Sequence, residues 1–308
     1  MNNLTSRPGP AHSARTTFVH NVLFLNILKD FAGACASRGI TVLALKGIAF
    51  LGREYRDLSE RRMTDIDVLV RRSDFGASER ILLDLGATRA PDENVLHQQS
   101  YERLYHFTMG DFRVAIDLHH AFAHRQAFPI DYERVFSDAE YHPLEDLRRA
   151  GVQRPSSEHS LLFLALHQLY DAFPIEFRNF HDAQRILEHN SVNLRKLAAE
   201  AEHWGVHSVL HFFLARGSAL GIVQDVEPSI VELPLSRLRR GAMRILLDPA
   251  RVDPFRIRIP FKRARQVILF YLFCHSLKAA VGFPLHIVNL KTSAWVKRMV
   301  GRRRFPGG

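Results

Sequence analysis

The chain has 308 residues, of which 46% are hydrophobic and 24% charged, and 42 Lys and Arg against 32 Asp and Glu give a formal net charge of +10. This length holds one large or two ordinary domains, and this apolar share excludes a low-complexity or disordered chain. The two cysteines, Cys35 and Cys274, lie far apart on apolar segments and read as core fillers, which excludes a disulfide scaffold and fits a reducing cytoplasm.

Residues 1–17 are polar, rich in Pro, Ser and Asn, and lack an apolar run, so they are expected to be disordered and not a secretory signal. Residues 18–36 have helical spacing, with Phe18, Val22, Leu25, Leu28, Phe31 and Ala32 near one face. Residues 41–45 read as a short buried strand. Lys46-Gly47 follows, then a helix over 48–55. A strand, a glycine and a helix start form a natural anion cradle, to which Lys46 adds a charge. A lone Lys-Gly is also an ordinary turn.

Residues 65–70, Asp65-Ile66-Asp67-Val68-Leu69-Val70, read as a strand. Side chains alternate along a strand, so Asp65 and Asp67 share one face while Ile66 and Val68 pack on the other. Two adjacent acids repel unless a divalent cation lies between them. The plainer reading is a turn-favouring Asp followed by a second Asp on a wet face. Ser73-Asp74 reads as a cap before a helix over 75–85 that ends at Gly86. Residues 87–90 suggest a short strand and 91–99 a polar loop. Two strand-like runs, 103–109 and 113–119, meet at a Gly110-Asp111 hairpin turn. Asp117 in the second run lies opposite Ile116 and Leu118 and offers a third acid, unless it is simply a solvent-facing strand end. His119 shares its face, and His106 also faces that site. The group His119-His120-x-x-x-His124 lacks a zinc-protease pattern.

From about residue 155 the period becomes helical, with candidates at 161–173, 180–188, 194–203, 206–220, 236–247, 261–281 and 285–300. The domain boundary is expected at 140–155, dividing a catalytic unit over 18–150 from a helical unit over 151–308. His167 reads as a core histidine, with substrate contact as the second reading, and Asp182 as a cap or salt-bridge partner within the helical domain. The apolar window 267–288 is interrupted by His275, Lys278 and Pro284, so it reads as a buried helix and not a membrane span. Residues 237–308 carry 17 Lys and Arg against 2 Asp, a balance of +15, while the remainder carries 25 against 30, a balance of −5. Such a tail suits an acidic partner, nucleic acid or an anionic membrane surface.

Leu45-Lys46-Gly47, the Arg61-x-x-x-Asp65-Ile66-Asp67-Val68-Leu69-Val70 block and Ile116-Asp117-Leu118-His119 appear in the order of a known fold. Over about residues 20–220 the chain resembles the nucleotidyltransferase superfamily with the polymerase-β-like minimal fold. It is most similar to the uncharacterised nucleotidyltransferase family found among bacterial biosynthetic clusters; Leu166-His167 and the Asp182 segment share that likeness. The resemblance implies an α+β protein: an N-terminal nucleotidyltransferase fold with a mixed sheet and flanking helices, then a mostly helical C-terminal domain. It implies an enzyme with Asp65, Asp67 and Asp117 as catalytic acids and ligands of Mg2+ or Mn2+; the few cysteines and the basic tail suit a cytoplasmic location, or one peripheral to the membrane. Lys46 and Gly47 would touch the phosphates of a bound nucleoside triphosphate such as ATP, and Arg61 would contact phosphate or fix the Asp strand. The implied reaction moves a nucleoside monophosphate to a hydroxyl, phosphate or amine of a small molecule, peptide or protein, as in a biosynthetic pathway. Lys46-Gly47 stands where the wider superfamily has glycine-serine. That departure keeps open a noncatalytic module binding nucleotide, nucleic acid or membrane.

Overall fold

A computed structural model describes residues 14–91, 101–110, 112–123, 128–170 and 177–224. The described residues begin with α1 (Ala14–Ala36), which starts four residues earlier than the apolar spacing predicts. The buried stripe of α1 is also rotated from the expected one: it runs through Thr17, Asn21, Phe24, Leu28, Phe31 and Cys35, and Phe18 is exposed. Asn21 explains the rotation. Its amide nitrogen donates to the Leu58 carbonyl at 2.6 Å and to the Arg61 carbonyl at 2.7 Å, so both of its N–H donors are satisfied inside the stripe.

Strand β1 (Val42–Leu45) runs directly into α2 (Lys46–Ala49). The expected helix over 48–55 is therefore one turn that starts at Lys46. The chain then folds back, Tyr55 N–H donating to the Phe50 carbonyl at 3.1 Å. Gly52 makes this possible: its φ is +91°, and a Cβ there would meet Leu144 at 2.8 Å. After β2 (Asp65–Leu69) come α3 (Phe75–Asp84) and β3 (Thr88–Arg89). The cap expected at Asp74 does not form, because Asp74 is itself in helical conformation and makes no side-chain bond to the helix. The hairpin of β4 (Glu102–Met109) and β5 (Phe112–His119) is present, with Gly110 at φ +59°. Asp111, the expected loop at 92–99, Cys274 and every element expected after residue 224 lie outside the described residues.

Four short elements follow: α4 (Tyr132–Ser137), β6 (Glu140–Tyr141), α5 (Glu145–Arg149) and β7 (Val152–Arg154). The helices α6 (Ser157–Tyr170), α7 (Phe177–His189), α8 (Leu194–His203) and α9 (His207–Ala219) match the helical period read from sequence to within a few residues.

The strands form one mixed sheet in the order β3-β4-β5-β2-β1-β7-β6, in which β2–β5 and β1–β7 are parallel. One face, carrying Ala44, Ile66, Val68, Ile116 and Leu118, is buried beneath α1 and α3. Glu79 of α3 fastens that layer by accepting from the Tyr105 hydroxyl at 2.6 Å and from Arg103. The helices α7, α8 and α9 pack around α6, with Phe180 stacked on Phe213 at 4.9 Å and Trp204 fully buried. A single apolar core runs from Phe24 to Val223, so sheet and helices share one interior.

Candidate active site

The register of the sheet collects the acids. Asp67 pairs with Asp117 across the parallel β2–β5 ladder, and Asp65 pairs with Ala115. Neighbouring strands lie about 4.8 Å apart, and paired residues project to the same side. The face opposite α1 and α3 thus presents Asp65, Asp67 and Asp117, with His119 one step further along β5. On β4, Glu102 pairs with His119 and His106 with Ala115. His106 therefore lies on the expected face but on the row of Asp65, two strands away.

Lys46 reaches this face from the end of β1. Antiparallel pairing sets Leu45 opposite Asp67, so the next residue is delivered beside that acid. The Lys46 backbone has φ +51°, and it is the one non-glycine residue with positive φ among the described residues. That left-handed conformation is costly for a side chain with a Cβ. The turn aims the ammonium at Asp67 Oδ1, 2.9 Å away, with the ring of Phe122 5.4 Å from the nitrogen. His119 Nε2 meets the same Asp67 oxygen at 3.0 Å. On the other side of the imidazole, Glu102 Oε2 lies 3.2 Å from Nδ1, near enough for charge pairing but not aligned as a hydrogen bond.

The three acids are therefore unequal. Burial alone would raise the Asp67 acid, but Lys46 and His119 outweigh it and hold Asp67 well below the usual carboxylate range. Burial would lower the Lys46 ammonium, and the Asp67 charge instead holds it above its ordinary value. Asp117 has no hydrogen bond or salt bridge among the described residues. Burial and the charges of Asp67, Glu102 and Asp65 push its acid up to about 7, against a pull from His119. Asp65 accepts from the Thr64 hydroxyl at 3.0 Å and is raised by burial and by Asp67. His119 would be lowered by burial but is raised by its bond to Asp67 and by Glu102. His167 projects from α6 and is pushed down to about 3 by burial and by the Lys46 charge. Its Nδ1 lies 3.2 Å from the Asn179 amide.

Gly47 and Arg61 serve the site from behind. A Cβ on Gly47 would meet Met63 Cγ at 3.2 Å and Arg61 Nη2 at 3.3 Å, so the space it leaves is filled by protein. Arg61 is buried and forms a two-pronged pair with Asp182 of α7, both contacts at 2.8 Å. The Tyr55 hydroxyl donates to the same carboxylate at 2.7 Å. The guanidinium is thereby committed to protein, and the pair ties the loop before β2 to the helices. Asp182 was expected to bond within the helical domain; its partner is instead 121 residues away. Beneath α2, His142 Nε2 donates to the Ile48 carbonyl at 3.0 Å while its Nδ1 accepts from Leu144 N–H at 3.2 Å.

Sequence reasoning overlooked Glu102, Phe122 and His142. Glu102 could have been found: closing the hairpin at Gly110-Asp111 pairs 109 with 112 and hence 102 with 119. Phe122 and His142 lie in irregular segments that carry no periodic signal.

The donor set suits a hard, oxygen-preferring cation. Asp117 is a partly buried carboxylate with no donor, next to two other acids. Among the described residues, however, no three His, Cys, Asp or Glu side chains stand close enough to share one ion. Lys46 and His119 occupy the Asp67 oxygen that faces them. A separate cavity of about 290 Å³, lined by Glu54, Arg56, Glu60, Arg185 and His189, contains none of the site residues. The basic tail and the 267–288 window lie outside the described residues, and no helix among those described is long and apolar enough to cross a membrane.

The mixed sheet brings an acidic pair on one strand and a third acid on its parallel neighbour to one face. Residues 11–219 match the profile of the uncharacterised nucleotidyltransferases, and the chain belongs to that family. None of the curated proteins matches the chain. Among solved structures, ANT(2")-Ia in complex with adenylyl-2"-tobramycin is similar over 59% of this chain and 97% of its own, with 15% identity and a TM-score of 0.39.

Proposed function

We propose that this nucleotidyltransferase moves a nucleoside monophosphate from a nucleoside triphosphate to a hydroxyl, phosphate or amine of a small-molecule, peptide or protein acceptor. The observation that carries the reading is the register that sets Asp67 beside Asp117, with Asp65 on the same face and Lys46 at its edge. In this reaction the acceptor atom bonds to the α-phosphorus, the bond to the β-phosphate oxygen breaks, and pyrophosphate leaves. Asp117 takes the acceptor's proton, a role supported by its lack of donors among the described residues and by its raised pKa, which makes its carboxylate the more basic. Lys46 binds the phosphates, and Arg61 and Gly47 hold the turn that presents it. Asp65, Asp67 and Asp117 would hold Mg2+ or Mn2+, which supplies charge neutralisation of the phosphates and alignment of the reacting oxygens.

The test is incubation with each labelled nucleoside triphosphate, Mg2+ and candidate acceptors or cell extract, alongside calorimetry of Mg2+-nucleotide binding. Label transfer that is lost in Asp65→Asn and Asp67→Asn proteins with unchanged circular dichroism supports the reading. Absence of both transfer and nucleotide binding with every donor contradicts it.

A further inference from the structure

The pairing of Lys46 with Asp67 has a consequence that rests on the reading above. Asp67 Oδ1 already holds two donors, the Lys46 ammonium at 2.9 Å and His119 Nε2 at 3.0 Å. Its neighbours Asp117 and Asp65 are not so engaged. Asp117 has no direct partner among the described residues, and Asp65 has the Thr64 hydroxyl at 3.0 Å. The described residues also hold no ready cluster of three ligands. Of the three acids, Asp67 is the one that carries the lysine.

We propose that Lys46 and a divalent cation compete for the Asp67 carboxylate, so that the lysine guards an incomplete cation site until it is drawn off. Three features of Lys46 suit this role. Its backbone is held in the left-handed region, so its direction is imposed by the turn. Its charge sits on a flexible four-carbon stem that can re-aim without moving that turn. The Phe122 ring, 5.4 Å from the nitrogen, offers the ammonium a second favourable surface beside the acid. The phosphates of a nucleotide are the natural group to draw the ammonium away. Nucleotide and cation then favour one another's binding, because each removes the obstacle to the other. The side chains of Lys46 and Asp67 are only 16% and 5% exposed, so bulk water replaces neither partner well and the exchange is between defined ligands.

Direct Mn2+ titration followed by electron paramagnetic resonance tests this without any turnover. Four full-length proteins are compared: wild type, Lys46→Met, Asp67→Asn and the double variant, with Lys46→Gln as the neutral substitute if Lys46→Met does not fold. Competition predicts that Lys46→Met binds Mn2+ at least about tenfold more tightly than wild type. It also predicts that the gain disappears in the Asp67→Asn background, because the contested carboxylate is gone. Unchanged or weaker binding in Lys46→Met overturns the inference. So does a gain of equal size in the Asp67→Asn background, which would mean simple repulsion by the lysine charge. If no protein binds Mn2+, with or without a nonhydrolysable nucleotide, the cation reading of the site itself fails.

Discussion

Arg61 and Asp182, 121 residues apart, meet through two contacts of 2.8 Å and are buried together. The same guanidinium lies against the position a side chain would take on Gly47. One ion pair thus braces the loop before the acidic strand, the turn that aims Lys46, and the helix α7. Removing one partner of a buried pair leaves the other charge uncompensated, at a cost of about 3–5 kcal/mol. Asp182→Ala is expected to lose stability on that scale in urea unfolding. Asp182→Asn, which keeps an acceptor for Arg61 or Tyr55, is expected to lose less. Equal and small losses in both would show that the pair does not brace the fold.

Asp117 is expected to show the opposite sign. Burial and the crowding charges of Asp67, Glu102 and Asp65 push it up to about 7, so its charged form strains the native chain at neutral pH and above. In metal-free buffer at pH 8, Asp117→Asn is expected to be more stable than wild type by about 1–3 kcal/mol, while in Mg2+ it loses transferase activity. The native state holds this proton more tightly than the unfolded chain. The penalty therefore grows from about pH 4 to 7, and the advantage of the variant fades as pH falls through that window. Chemical denaturation at pH 8 and pH 4.5 checks both the sign and the window.

His142 predicts a separate acid sensitivity. Its ring donates from Nε2 and accepts at Nδ1, so only the neutral form satisfies both the Ile48 carbonyl and Leu144 N–H. Burial pushes its pKa down to about 4, against a smaller upward pull from the bond to Ile48. The unfolded chain then binds the extra proton between about pH 6.5 and 4. The stability that His142 contributes is complete above 6.5 and is lost as pH falls toward 4, at up to about 1.4 kcal/mol per pH unit. The gap in urea midpoint between wild type and His142→Gln is expected to shrink over that range. A gap independent of pH would contradict a ring built to stay neutral.

Much of this site could be read from the chain because strands report their faces. Alternation alone put Asp65 and Asp67 on one side and Asp117 opposite Ile116 and Leu118, and the sheet keeps all three on the face opposite α1 and α3. The long helices α7, α8 and α9 were legible for the same reason, through their period. What failed were features decided by tertiary contact. Strands β6 and β7 have two and three residues, too few to show alternation, yet β7 extends the sheet beside β1. Asn21 turned α1 because it binds carbonyls about 40 positions away, which no local pattern encodes. Lys46 was expected to face phosphate. Its present partner, Asp67, follows from the β1–β2 register, which fixes Leu45 opposite that acid.

Gly52 gives a local check on the fold. With φ +91° and Leu144 only 2.8 Å from a built Cβ, Gly52→Ala is expected to cost about 1–3 kcal/mol. Thermal denaturation measures it. Gly86→Ala, at φ +92° with open space around it, carries the backbone penalty without the clash and is expected to cost less.

The central claim is transfer of a nucleoside monophosphate at the Asp65, Asp67 and Asp117 face. Parallel reactions with triphosphates labelled at the α-phosphate and at the γ-phosphate, in Mg2+ and with the same acceptor mixture, test it most directly. The account predicts that α-label becomes attached to an acceptor, that γ-label leaves as pyrophosphate, and that Asp67→Asn abolishes both. Attachment of γ-label to the acceptor, or no attachment of either label with any of the triphosphates, would contradict it.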